Sequence, residues 1–362
     1  MSGGVDSSVA AYLLLRQGFR VEGLFMKNWD EDDGTEYCTA VTDLEDAQKV
    51  CDILKIALHT ANFAAEYWDN VFDYFLAEYR KGRTPNPDIL CNREIKFEQF
   101  VRYANALGAD YIATGHYVRR DPEPQTDDVP EDIKAAKPKI LKGLDQSKDQ
   151  TYFLQAVSAE KLAGCLFPLG GWQKSDIRQV AEDLGLPNHR KKDSTGICFI
   201  GERRFDDFLA GYIKDKPGSI SDPQGRLLGQ HRGLHQYTLG QRQGIKLGGF
   251  SGRPEKPWYV MGKNHGTNTL AVTQDVAHLQ GTWLRAGSVN WLNSPQLPLR
   301  CCAKIRYRQD DQGCLVSQAA DGKLLVRFDA PQRAITPGQH VAFYDDDRLL
   351  GGATIQTTGT PT

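Results

Sequence analysis

The stretch Ser2-Gly3-Gly4-Val5-Asp6-Ser7-Ser8 constrains this chain more than any other. Two adjacent glycines let the backbone turn tightly and approach a ligand closely. Ser7 and Ser8 are placed to cap the helix announced by Val9, Ala10, Leu13 and Leu14. A loop of free N–H groups at a helix N-terminus attracts anions, phosphate above all. The loop is not of the Walker A type, because no Gly-Lys-Ser/Thr follows. An ordinary Gly-Gly turn before a helix is the plainer alternative.

Downstream, helix and strand signals alternate. Helices are predicted over Ser8–Gln17, Asp43–Lys55, Tyr67–Arg80, Asp88–Leu107 and Ser175–Leu184. Strands are predicted at Val21–Met26, Ile56–Leu58 and Tyr111–Thr114. This rhythm implies a doubly wound α/β domain on a parallel sheet, with ligands at the carboxyl ends of the strands. That rim would hold the first loop, Met26 and Gly115-His116-Tyr117. Residues 121–139 are rich in Pro and charge and read as a surface excursion. After about residue 204 short β-rich runs take over, among them Trp258–Met261, Thr269–Thr273, Cys301–Tyr307, Leu324–Phe328 and His340–Tyr344. They predict a small central domain and a C-terminal β-barrel, with boundaries at 1–203, 204–276 and 277–362.

No apolar run reaches membrane-span length and no signal peptide is evident, so a cytoplasmic protein without a membrane partner is expected. Eight cysteines among 362 residues are too dilute for a disulfide scaffold. None forms a CxxC pair, so no protein-bound metal is expected. The net charge of −2 does not by itself call for nucleic acid, but the charge is uneven. Residues 225–263 hold seven Lys or Arg against one acid, Glu255. Such a stretch can serve phosphate contacts or be a solvated basic face.

Two cysteines sit in unusual surroundings. In Thr84-Pro85-Asn86-Pro87-Asp88-Ile89-Leu90-Cys91-Asn92 the prolines fix an extended entry, and Asp88 reads as an N-cap bonded to the N–H groups of Leu90 and Cys91. Cys91 would then be the third helical residue, where the helix dipole favours thiolate, with Arg93 and Lys96 nearby. A buried structural cysteine is the alternative. Cys198, in Ser194-Thr195-Gly196-Ile197-Cys198-Phe199, lies between a polar turn and an apolar run. By itself it reads as a core strand cysteine.

The first loop has the SGGxDS form of the PP-loop ATP pyrophosphatases. Over nearly its whole length the chain resembles the bacterial tRNA-specific 2-thiouridylase family. SGGVDSS at 2–8, GLFMKNW at 23–29, GRTPNPDILCN at 82–92, ATGHYVRR at 113–120, KDQTYFL at 148–154 and KKDSTGICFIGERRF at 191–205 carry the resemblance. It implies a PP-loop (adenine nucleotide alpha hydrolase-like) catalytic domain and tRNA-binding central and barrel domains. Ser2, Gly3, Gly4, Val5, Asp6, Ser7, Met26 and Gly115 would hold ATP, with Mg²⁺ neutralising the phosphates. Asn86, Pro87 and Asp88 would meet the target base, with Asp88 also a candidate for organising charge. Cys91 would be the nucleophile and Cys198 the persulfide carrier, leaving a Cys91–Cys198 disulfide. His116, Lys148, Asp149, Gln150, Arg306, Tyr307 and Gln339 would contact tRNA. The implied partners are tRNAs for Lys, Glu and Gln and a persulfide relay protein. The implied reaction is adenylation of C2 of the wobble uridine followed by sulfur transfer. A PP-loop ligase that adenylates a small metabolite is the nearest alternative. A PP-loop ordinarily follows a β-strand, and Met1 stands where that strand should already have ended, so a central strand is expected to be missing.

Overall fold

The computed structural model describes residues 1–30, 40–124, 137–193, 205–247 and 256–359. Cys198 lies outside them. Helix α1 (Val5–Arg16) buries Val5, Val9, Ala10 and Leu14, and Gly18 at φ +93° turns the chain out of it. Strand β1 (Gly23–Lys27), helix α2 (Ala40–Leu54) and strand β2 (Leu58–Asn62) form a βαβ unit, with Gly23 opposite Leu58 and Lys27 opposite Asn62 in parallel register. The Met1 ammonium donates to Leu24 O at 2.6 Å. Strand β3 (Ile112–Ala113) is followed by β4 (Val118–Asp121), β5 (Lys139–Lys142) and β6 (Cys165–Leu166). β3 pairs in parallel with β6. The parallel α/β arrangement read from the helix–strand rhythm is therefore present, as two parallel pairs.

Residues 64–80 and 87–106 are helical, each with a π-helical stretch inside it, at Trp68–Phe72 and Cys91–Gln99. Between them they bury an aromatic core of Phe63, Tyr67, Phe72, Phe75 and Tyr79, which also takes in Ile95 and Cys91. Phe208 and Leu209, from the start of the second domain, complete it.

The central β-rich segment forms strands β7 (Gly218–Ser221), β8 (Leu227–His231), β9 (Tyr259–Asn264) and β10 (Thr269–Thr273), in one sheet of order β8-β7-β10-β9. Ile220, Val260, Leu270 and Val272 point into its core. The C-terminal strands are β11 (Gln280–Trp291), β12 (Leu299–Lys304), β13 (Gln312–Gln318), β14 (Leu324–Arg333), β15 (His340–Asp345) and β16 (Arg348–Gly359). They run in the order β11-β14-β13-β12-β15-β16, and β16 pairs back onto β11, which closes a barrel and removes its free edges.

The charged excursion has a structural role. It connects β4 to β5, which pair antiparallel, and β5 then pairs with β16 of the barrel at Ile140 and Leu141. Ile89, Phe97, Tyr152 and Leu154 of the first domain share one core with Ala342, Tyr344 and Leu349 of the barrel. This apolar seam makes the barrel a fixed wall of the first domain.

Two buried histidines line that seam. His116 accepts from or donates to Thr114 Oγ1 at 2.8 Å, and His340 Nδ1 meets Gln155 Nε2 at 2.9 Å. Burial first, then the charges of Lys96 and Arg93 respectively, pushes each imidazole down to about 3. Below pH 6.5 the unfolded chain binds a proton at each histidine and the folded chain does not. Stability is therefore lost as pH falls from 6.5 towards 3, by roughly 1.4 kcal/mol per pH unit per histidine. His340→Gln is expected to flatten the fall in urea midpoint between pH 6.5 and 5, relative to wild type at each pH. Parallel pH profiles for the two proteins would contradict it.

Candidate active site

The first loop folds as a phosphate-type cradle, with one change from the expectation. The N-cap of α1 is Gly4, not a serine, and it has no side-chain cap. Ser7 and Ser8 lie inside the helix, where their hydroxyls donate back to Gly4 O at 3.1 and 2.9 Å. The helix starts earlier because Val5 is needed in its buried face. Gly3 takes φ +72°, and a Cβ there would lie 2.3 Å from Asp43 O. A Cβ on Gly115 would lie 2.9 Å from the Asp6 carbonyl carbon. Both glycines are thus required by close approach, and the bare cap leaves helix N–H groups for an anion. Gly3→Ala combines backbone strain with a clash and is expected to lower kcat/KM for ATP at least about tenfold. Unchanged ATP kinetics in that variant would show that the loop does not carry nucleotide.

Behind the loop lies a charge network that local sequence reading did not find. Lys174 is buried, and its ammonium donates to Asp6 at 2.6 Å and pairs with Asp193 at 2.8 Å. Tyr117 OH also donates to Asp6, at 2.8 Å. Lys148 and Arg178 reach Asp193 at 2.8 and 3.0 Å. Burial would raise the Asp193 carboxyl, but hydrogen bonds from Lys148 and Lys174 outweigh it and hold the group at about 2. Asn188 donates to Gly3 O at 3.0 Å and to Ser8 Oγ at 2.9 Å. Lys191 ties Asp43 and Asp46 at 2.7 and 2.6 Å. The one local clue was charge in Lys191-Lys192-Asp193, and nothing in its spacing points to Asp6.

The segment before Cys91 also departs from its expected form. Its N-cap is Asn86, whose side chain accepts from Asp88 N and Ile89 N at 3.2 and 3.3 Å. Pro87 then occupies the first helical position, where its missing N–H costs nothing. Asp88 is therefore a helical residue and not the cap. Cys91 is two positions deeper than the third position expected for it, so the helix dipole acts on it more weakly. It is 1 % exposed and packs within the aromatic core. Arg93 pairs with Glu94 at 2.6 Å.

Both later domains hold the approach to this segment. Thr84 N–H donates to Pro337 O at 3.1 Å. Gln339 Nε2 donates to Thr84 O and Pro85 O at 2.9 and 3.3 Å. Gly338, at φ +93°, lets the barrel loop come this close, since a Cβ there would meet Thr84 N at 2.9 Å. From the central domain, Thr238 Oγ1 lies 3.2 Å from Thr84 Oγ1, and Lys263 donates to Gly82 O at 3.1 Å. Asn92 Nδ2 donates to Phe153 O at 3.3 Å, and Phe153 packs on Tyr307 at 4.4 Å.

The other expected site residues are distributed as follows. Met26, near the carboxyl end of β1, packs against the aromatic core. His116 is buried between Phe97 and Phe167. Asp149 accepts from Gly143 N and from Thr151, and Gln150 accepts from Tyr117 N at 3.0 Å, so both brace the backbone. Arg306 and Tyr307 are not in a β-run: β12 ends at Lys304 and they form the turn after it, with Arg306 donating to Ala334 O at 2.7 Å. Among the described residues no group of His, Cys, Asp and Glu is arranged to hold a metal ion. Among those residues, too, no helix is long and apolar enough to cross a membrane.

A PP-loop nucleotide-binding domain followed by a small β domain and a closed barrel is the class that this fold and site define. Three family models match in that order. They are described as the tRNA methyl transferase HUP domain over residues 1–202, the tRNA methyl transferase PRC-barrel domain over 206–274 and the aminomethyltransferase beta-barrel domain over 282–355. Curated relatives include tRNA-specific 2-thiouridylase MnmA of Pseudomonas aeruginosa (strain UCBPP-PA14), 58% identical over 99% of this chain and 93% of the relative. The proteins of that name from Marinomonas sp. (strain MWYL1) and Alcanivorax borkumensis are 57% and 56% identical, over 98% and 99% of this chain and 89% and 96% of theirs. The chain belongs to the tRNA-specific 2-thiouridylase family.

Proposed function

We propose that this protein thiolates C2 of the wobble uridine of tRNA, using ATP to activate the base and Cys91 and Cys198 to deliver sulfur. The observation that carries this reading is the shared grip on Thr84 and Pro85. Residues of the central domain and of the barrel hold the backbone that leads to Asn86, Asp88 and Cys91. A macromolecular substrate lying across both domains would thereby be aligned with the thiol. The relatives' printed name supplies tRNA and 2-thiouridine.

The chemistry needs activation because the C2 oxygen of uracil leaves badly. Its attack on the α-phosphorus of ATP expels pyrophosphate and leaves C2 bearing an O–AMP group. The bare N-terminus of α1 and the Gly3 and Gly115 cradle suit that anion. Lys174 holds Asp6 in place beneath it. The terminal sulfur of a Cys198 persulfide adds to C2 and AMP departs with the former oxygen. Cys91 then attacks Cys198 Sγ, which forms the Cys91–Cys198 disulfide and leaves sulfur on C2. Release of hydrosulfide by Cys91 before the attack on C2 is the other order. Exchange with cellular thiols restores the pair. Asn86 and Asp88 meet the splayed base, while Lys148, Arg306, Tyr307 and the basic central domain take phosphates and stacked bases. Mg²⁺ arrives with ATP, and a persulfide carrier protein loads Cys198.

Nucleoside mass spectrometry after incubation of tRNA with the protein, ATP, Mg²⁺ and a low-molecular-weight persulfide as sulfur donor tests the proposal. One AMP and one pyrophosphate are expected per 2-thiouridine formed. Methylated uridine with no thiouridine, or pyrophosphate release driven by a small metabolite in the absence of tRNA, would overturn it.

A further inference from the structure

The barrel brings two thiols together, apart from Cys91. Cys301 on β12 and Cys314 on β13 are direct cross-strand partners, and their Sγ atoms are 3.8 Å apart. Cys314 is fully buried in the barrel core, whereas Cys301 is half-buried and reachable. Adjacent Cys302 points to the opposite face, as alternation along a strand requires, and packs in the seam with Tyr344. The two strands join through the turn that carries Arg306 and Tyr307.

We propose that Cys301 and Cys314 are a thiol–disulfide modification site, at which a low-molecular-weight disulfide converts the pair into a cross-strand bond that staples the β12–β13 hairpin. Cys301 reacts first. Its contact with Cys314 holds its thiol below the ordinary value, while the same contact and burial raise Cys314. The Cys301 thiolate attacks one sulfur of the reagent and expels one thiolate, giving a mixed disulfide. Cys314 gives its proton to that thiolate and attacks Cys301 Sγ, expelling the second. Two protein thiols are oxidised and one reagent disulfide is reduced to two thiols. The sulfurs close from 3.8 Å to about 2.05 Å by side-chain rotation, because the strands already set the register. The bond joins the two sides of the hairpin and so restrains the turn between them. None of this depends on the thiolation reading.

The test treats the whole Cys91→Ser protein, in which the proposed catalytic pair cannot close, with oxidised glutathione. Free thiols are then alkylated and peptides analysed without reduction. A Cys301–Cys314 linked peptide that dithiothreitol abolishes is expected, with slower hydrogen exchange at Ile305–Gln309. With Cys314→Ala added, glutathione should stay on Cys301; with Cys301→Ala added, Cys314 should take none. Glutathione retained on Cys301 when Cys314 is present, a Cys301 that stays fully alkylatable, or a link that forms only after denaturation would overturn the proposal.

Discussion

Cys91→Ser is expected to abolish 2-thiouridine formation, by at least about 1,000-fold, while tRNA-dependent release of pyrophosphate persists. In the proposed reaction the two halves use different groups: activation would use the loop at Gly3 and Gly4 with Asp6 and Lys174 behind it, and sulfur delivery would use Cys91. Cys91 sits in the aromatic core at 1 % exposure, so serine fits its space and the fold should persist at a cost of about 1–3 kcal/mol for burying the hydroxyl. A hydroxyl cannot attack a persulfide or end in a disulfide. Cys198→Ser should give the same split. Thiouridine formed at the wild-type rate by Cys91→Ser would rule out this route for sulfur. Loss of pyrophosphate release in the same variant would show that the thiol also builds the activating site.

Lys174→Met should produce the second large effect, on both stability and ATP use. Lys174 is 8 % exposed, and its ammonium lies between the carboxylates of Asp6 and Asp193, whose side chains are 32 % and 33 % exposed. Asp193 retains Lys148 and Arg178, whereas among the described residues Asp6 keeps the Tyr117 hydroxyl. Removing one partner of a fully buried ion pair costs more, but with these carboxylates partly screened by solvent the expected loss is about 1–3 kcal/mol. The urea midpoint should fall accordingly, and kcat/KM for ATP should drop about 100-fold as Asp6 and the start of α1 move. Adding Asp6→Asn to Lys174→Met should recover much of the stability and little of the activity. If the two substitutions were additive in stability, the pair would not be coupled.

The sites of these substitutions were unequally legible. Gly3 could be read directly, because a positive φ and a close approach leave glycine as the residue that fits. The switch from α/β to β-rich architecture was legible from periodicity and turn residues. Cap positions were not, since Pro87 moved the helix start back to Asn86 and the buried face of α1 moved its start back to Val5. The β4–β5 hairpin was hidden by the charged connection between its strands. Lys174 looked like any lysine at a helix start, since its partner Asp6 is 168 residues away.

The sequence by itself determined the loop and the order of three folding units, because each rests on backbone freedom, periodicity or composition within a short window. Only the tertiary structure decided which charges neutralise Asp6, that the barrel and the α/β domain share one core, and that Gln339 grips Thr84 and Pro85. It also decided that Cys301 faces Cys314 and that Cys302 does not. Those facts depend on strand register and domain docking, which are set by burial summed over the whole chain and leave no mark at any one position.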